Sequence, residues 1–209
     1  MQTRVWLLRH AESAVPHVFH GAESDIDLSE HGRRQAEVVA QVFAEMRPDA
    51  VVSSAMRRAR ATAGPIAAAC GLELEIEPDL HERRVGELSG TPHANPEGLW
   101  PDTLRRWLEG ETDYAPPGSE SFDAIQSRVV PAWERVTARH AGKSVAVVAH
   151  GIVCRVLLVS LLEGWSVADW LKLGRIPNVG VHELIGGGGS WKAVRISEVP
   201  PAVLALSQP

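Results

Sequence analysis

The chain has 209 residues, 44% hydrophobic and 22% charged, long enough for a large domain with a well-buried core. Its formal net charge is −5 and its isoelectric point about 6.0, with no Lys/Arg-rich run, which argues against a nucleic-acid partner. No stretch approaches the ~18 apolar residues of a membrane span, and no signal peptide is recognised, so the reading is a cytoplasmic protein with no membrane partner. Cys70 and Cys154 form no CxxC pair or disulfide framework and read as buried reduced thiols.

The run Val5-Trp6-Leu7-Leu8-Arg9-His10 is too short for a helix and too apolar for a surface loop. It predicts a buried parallel strand over 3–9 whose C-terminal end delivers an arginine and a histidine to the sheet edge, where ligands sit in open α/β sheets. After a polar loop, Ser29 caps a helix carrying Ala36, Val39, Ala40, Val42 and Phe43, which stops before Pro48. A short buried strand over 50–53 precedes an alanine-rich helix from about Met56 to Cys70, ended by Gly71, and a third strand falls near 73–76. Residues 82–118 are rich in Gly and Pro and hold Trp100 and Trp107. They predict an irregular, lid-like insertion with one short helix near 99–109, within a single domain spanning 1–209. A long helix, roughly 121–140, leads to a strand over 144–149 that again ends in histidine, His150, and then a helix over 152–163. A strand pair, 180–185 and 190–196, is joined by the turn Gly186–Gly189, and the tail 198–209 reads as a loosely docked strap. This order predicts an α/β fold, a three-layer α/β/α sandwich with a mostly parallel sheet to which the last hairpin adds an antiparallel strand.

Five residues fall on one predicted edge: Arg9, His10, Arg58 just past the second strand, Glu82 past the third, and His150. Two arginines and a histidine make a cationic cradle for three phosphoryl oxygens. A second, neutral imidazole can attack phosphorus, and Glu82 can protonate the leaving oxygen and then take a proton from water. That is phosphoryl transfer by covalent catalysis, with arginines neutralising charge that metals often neutralise. Arg57 and Arg60 compete with Arg58 for the inward place, and Glu87 competes with Glu82. His17, His20, His81, Arg83 and Arg84 read either as lining of the substrate entrance or as solvated surface. Trp100 and Trp107 read as packing for the insertion, and His31 and His140 as surface helix residues. His10-Ala11-Glu12 matches the HxE of zinc deaminases but lacks the later Pro-Cys-x-x-Cys. The Gly186–Gly189 run joins two strands and is no phosphate loop.

The run Arg9-His10-x-Glu12-Ser13 resembles the Arg-His-Gly signature of the histidine phosphatase superfamily. Further blocks are similar to that family in the same order: Asp25-x-Asp27-Leu28-Ser29-x-x-Gly32-x-x-Gln35-Ala36, then Ser53-Ser54 with Arg58-Ala59 and Thr62-Ala63. They continue with Glu82, Gly86 and Gly90, then Gly118-x-Glu120-Ser121, then Val148-x-His150-Gly151 with Arg155, so the resemblance covers nearly the whole chain. It implies a phosphoglycerate-mutase-like fold. It also implies His10 as phosphorylated nucleophile, Arg9, Arg58 and His150 as phosphoryl ligands within the catalytic set, Glu82 as proton donor, and no metal or cofactor. Two positions depart from the pattern. Ala11 replaces the usual glycine, which crowds the pocket only if the backbone there needs φ > 0. Pro16 stands where many members place a phosphate-contacting asparagine, so one contact is lost or supplied elsewhere. The expected function is a metal-independent phosphomonoesterase acting on a small phosphorylated metabolite through a phosphohistidine on His10. A cofactor-dependent phosphoglycerate mutase and a non-catalytic phosphate-ligand or protein-binding module are the alternatives. The substrate and the oligomeric state, a homodimer included, stay open.

Overall fold

Six strands form the centre of the protein: β1 (Thr3–Arg9), β2 (Ala50–Ser53), β3 (Leu74–Ile76), β4 (Ser144–Ala149), β5 (Val181–Gly187) and β6 (Ser190–Glu198). A computed structural model describes residues 2–93 and 98–207. The strands make one sheet in the order β3-β2-β4-β1-β5-β6. The first four run parallel, β5 pairs antiparallel with β1, and β6 antiparallel with β5.

The central strands read as unbroken apolar runs because both faces of the sheet are covered. Val5, Leu7, Val145 and Val147 pack on one side with α4 (Phe122–Arg139) and α5 (Gly151–Leu161). Trp6, Leu8, Ala146 and Val148 pack on the other with α1 (Glu30–Met46) and α2 (Arg57–Cys70). The result is the three-layer α/β/α sandwich expected from the order of elements. The helix ends follow their capping residues. Ser29 Oγ accepts from Gly32 N at 2.9 Å, and Gly71 closes α2 in the left-handed conformation at φ 67°. Among the described residues no helix is long and apolar enough to cross a membrane.

The topology also creates a crevice. β1 and β4 are neighbours, yet β1 feeds α1 on one face and β4 feeds α5 on the other, so their connections part at the C-terminal edge. Arg9 sits opposite Ala149, and His10 N donates to Ala149 O at 2.9 Å. His10 and His150 therefore leave the sheet side by side.

Within 82–118 the main regular element is α3 (Leu99–Leu108). Backbone hydrogen bonds tie the start of this segment to residues 17–19: Phe19 N to Thr91 O at 2.9 Å, and Gly90 N to Phe19 O and His93 N to His17 O, both at 3.0 Å. Trp107 is fully buried, with ring centroids 5.6 Å from Trp100 and 5.7 Å from Trp170, so both insertion tryptophans do pack.

Four details differ from the sequence reading. Residues 164–179, to which the sequence reading assigned no element, contain a 3-10 helix over Val167–Leu173 held by a Ser166–Asp169 capping box. The tail is docked rather than loose, because a helical turn, α6 (Pro201–Leu204), buries Val203 on the α1/α2 side. Its last residues, 208–209, and residues 94–97 of the insertion lie outside the described part. Gly186 and Gly187 pair with Trp191 and Ser190 as strand, leaving Gly188 and Gly189 as the turn. His140 is buried instead of solvated, because the C-terminal end of α4 packs against β3 and sets its Nε2 3.1 Å from Glu75 Oε1.

Candidate active site

β1 ends in Arg9 and delivers His10 directly beyond it. Nδ1 of His10 lies 2.6 Å from the Ala11 carbonyl oxygen, and only a protonated Nδ1 can donate there. Nε2 therefore carries the free lone pair. Burial, followed by the charges of Arg58 and Arg9, holds the His10 imidazole well below its ordinary pKa and keeps it neutral. Ala11 is buried, and its amide donates to Thr62 Oγ1 at 3.0 Å. Positive φ at non-glycine residues is confined, among the described residues, to Arg47, Val179 and Ser197. The methyl of Ala11 thus meets no left-handed backbone, and the residue is accommodated. Pro16 lines the cleft and offers no amide there.

His150 follows β4 and is fully buried, its ring centroid 5.2 Å from that of His10. Its Nε2 is 2.8 Å from Ser54 Oγ, and Ser54 Oγ accepts from Met56 N at 3.2 Å. When the Ser54 hydroxyl donates to Nε2, the ring proton of His150 sits on Nδ1. That nitrogen has no partner among the described residues. Burial first, then Arg58, holds this pKa down as well.

The two arginines are oriented by carbonyls. Arg9 Nη1 donates to Ile176 O at 2.8 Å, and Arg58 Nη1 and Nη2 donate to Ser24 O at 2.9 Å and His20 O at 3.2 Å. Burial lowers both guanidinium pKa values, and the charge of Glu82 counters it. Arg58 takes the inward position, whereas Arg57 and Arg60 are exposed. Glu82 is buried with Oε1 accepting from Arg83 N at 2.9 Å and Oε2 from Ile152 N at 3.4 Å, near the start of α5. Glu87 is exposed.

Arg9, His10, Arg58 and Glu82 line one cleft of about 470 Å³, while His150 stands buried beside His10 and does not itself line it. A larger cavity of about 770 Å³ lies by the β5–β6 turn and includes none of these residues. His20 lines the cleft; His17, His81 and Arg84 do not. Arg83 is neither entrance nor surface: it is buried, 5.2 Å from the Trp100 ring centroid and 5.0 Å from that of Trp107, with Nε donating to Glu120 O at 2.9 Å. Sequence reasoning missed Phe19, His93, Trp170 and Arg175 in the cleft wall, and Asn178, whose Nδ2 donates to His10 O at 2.9 Å. Ser54 was within reach as part of the Ser53-Ser54 pair at the end of β2. Among the described residues no group of three or more His, Cys, Asp or Glu side chains is placed to hold a metal ion. The arrangement can present a neutral nucleophilic nitrogen, two cations and a carboxyl group around one small volume, with the His150 imidazole buried beside His10.

Residues 5–199 match the model of the histidine phosphatase superfamily (branch 1). The chain belongs to that superfamily, and its enzyme class is that of the phosphoric monoester hydrolases. It is 35% identical over 176 residues to a metal-independent phosphoserine phosphatase of Arabidopsis thaliana, covering 81% of this chain and 73% of that one. It is 31% identical over 205 residues to a glucosyl-3-phosphoglycerate phosphatase of Mycobacterium tuberculosis, covering 92% and 91%. The native structure of a mycobacterial glucosyl-3-phosphoglycerate phosphatase superposes with a TM-score of 0.81 at 29% identity, over 94% of this chain and 99% of that one.

Proposed function

We propose that the protein is a metal-independent phosphomonoesterase for small phosphorylated metabolites, working through a phosphohistidine on His10. One observation carries the reading: a buried, neutral His10 whose Nδ1 is committed to the Ala11 carbonyl and whose Nε2 is free, in a cleft with Arg9, Arg58 and Glu82. Nε2 attacks phosphorus as the ester P–O bond breaks, and Glu82 gives its proton to the departing oxygen. Glu82, now a carboxylate, takes a proton from the water that attacks the phosphohistidine, releasing phosphate and restoring His10. Arg9, Arg58 and the Nδ1–H of His150 face the charge that builds on the phosphoryl oxygens.

The named substrates of the relatives, phosphoserine and glucosyl-3-phosphoglycerate, support a small metabolite. The segment 82–118 serves as a lid in this proposal, supported by Trp100 and Leu104 in the cleft wall. A cytoplasmic location is supported by two unpaired cysteines, Cys70 and Cys154. The test is phosphate release from an aryl phosphate, with and without chelator, by wild type and His10→Ala. Release that survives chelator and disappears in His10→Ala is the expected result. Chelator-sensitive release, or full activity in the variant, would overturn the proposal.

A further inference from the structure

The cleft holds a cation that the phosphoryl chemistry leaves unused. Arg175 lines the cleft and is exposed, and its side chain makes no hydrogen bond or ion pair among the described residues. The other three arginines of the cleft, Arg9, Arg58 and Arg155, each donate to backbone carbonyls.

The backbone of Arg175 is pinned on both sides. Arg155 Nη2 donates to the carbonyl oxygen of Gly174, and Arg9 Nη1 to that of Ile176 at 2.8 Å. Arg155 is itself fixed by a bond from Nη1 to Trp170 O at 3.0 Å, and its guanidinium lies 5.3 Å from the Trp170 ring centroid. Arg175 thus projects from a rigid point, one side of which is the proposed phosphoryl ligand Arg9. Binding a ligand there orders a side chain and little backbone, which favours a functional contact.

The surroundings select the ligand. Phe19, Trp100, Leu171 and Ile176 supply apolar wall, and Glu82 is the one carboxylate among the described lining residues. A cleft of about 470 Å³ has room for more than a phosphoryl group. A guanidinium fork matches a carboxylate through two parallel hydrogen bonds. The charge of Arg175 also acts on Arg9, so an anion between them relieves repulsion between two cations.

We propose that Arg175 reads a carboxylate on the substrate, making the preferred substrates phosphomonoesters of hydroxy acids; this rests on the phosphatase reading above. The test is competition against aryl phosphate hydrolysis by the full chain. Two matched probes, 3-phosphoglycerate and glycerol 3-phosphate, differ by a carboxylate in place of a hydroxymethyl group. In wild type, 3-phosphoglycerate is expected to compete about 10-fold more tightly, the effect of one good charged contact. In R175Q the ratio of inhibition constants is expected to fall to roughly one, and R175K to keep an intermediate ratio, since an ammonium holds the charge without the fork. Equal competition by both probes in wild type, or a ratio that R175Q leaves in place, would overturn the inference while the phosphatase reading stands. Absence of aryl phosphate hydrolysis by wild type would overturn that reading and this inference with it.

Discussion

His10 and His150 stand ring to ring, 5.2 Å between centroids, and are held by opposite nitrogens: His10 by Nδ1 on the Ala11 carbonyl, His150 by Nε2 on the Ser54 hydroxyl. With the Ser54 hydroxyl donating to His150, one imidazole is left with a free lone pair and the other with a free N–H. Two identical side chains at the ends of adjacent strands thereby match the two tasks proposed for them, His10 as nucleophile and His150 as donor.

That division depends on Ser54. Ser54→Ala removes the hydroxyl that keeps the proton of His150 on Nδ1. The expected outcome is a loss of about 10²-fold in kcat/KM toward an aryl phosphate, the scale of one donor to a developing oxyanion. The buried partners left unsatisfied cost a further ~1–3 kcal/mol of stability. Steady-state kinetics beside thermal unfolding check both, and unchanged kinetics in a folded variant would remove His150 from the donor role.

Glu82→Gln separates leaving groups. An alkyl phosphate needs its departing oxygen protonated, and a nitrophenyl phosphate does not. Hydrolysis of the alkyl ester is expected to fall by about 10²-fold or more, the usual contribution of a positioned acid, with a far smaller loss for the aryl ester. Equal losses for both esters would contradict the assignment.

Stability should fall on acidification, and His182 supplies a measurable share. It is fully buried, its Nδ1 accepts from Ser197 N at 3.0 Å, and burial with the charge of Arg155 pushes its pKa down from 6.5 to about 4. The folded-state value lies below the unfolded one, so the unfolded chain binds the proton more readily between those two pH values. The stabilisation is complete above about pH 6.5 and is lost as pH falls toward 4, by up to ~3 kcal/mol for this one group. His10 and His150 shift in the same direction. Urea unfolding from pH 7 down to pH 4 should show this decline, with a shallower slope in His182→Gln, which keeps an acceptor without the titration. Identical slopes in the two proteins would count against it.

Gly32 lets α1 approach the loop that follows His10. A Cβ there would collide with the Glu12 carbonyl, and that loop is already fastened to α1 by Glu12 N to Gln35 Oε1 at 2.9 Å and Ser29 Oγ to Glu12 Oε1 at 2.7 Å. Gly32→Ala is expected to cost about 3 kcal/mol and to depress activity together with stability, since backbone rather than a movable side chain must shift. An unchanged melting temperature would show that the contact yields more easily than backbone should.

What the sequence made legible follows from where physics is local. β1, β2 and β4 are apolar on both faces, so their runs stood out and their observed bounds equal the expected ones. Arg9, His10 and His150 could be placed because each sits at the end of such a run. Glu82 and Arg58 needed the spacing of surrounding residues, and Arg58 was separable from Arg57 and Arg60 only by which side of α2 faces the cleft. The cleft wall was hidden because long-range pairing forms it. Arg175 gains its place from Arg9 and Arg155, which bind the carbonyls beside it, and neither bond leaves a mark at position 175. Arg83 shows the opposite error, a charged residue that reads as entrance lining or solvated surface until Trp100 and Trp107 close over it.

The proposed chemistry turns on a phosphoryl group carried by His10, and trapping that group settles it. Wild type is mixed with nitrophenyl phosphate, the initial release of nitrophenol is followed, and the reaction is quenched in alkali, where phosphohistidine survives. The peptide carrying His10 is then examined by mass spectrometry. A burst of nitrophenol matched by one phosphoryl group on His10 is expected, both absent from His10→Ala. A phosphoryl group on another residue, or a full burst with none on His10, would contradict it.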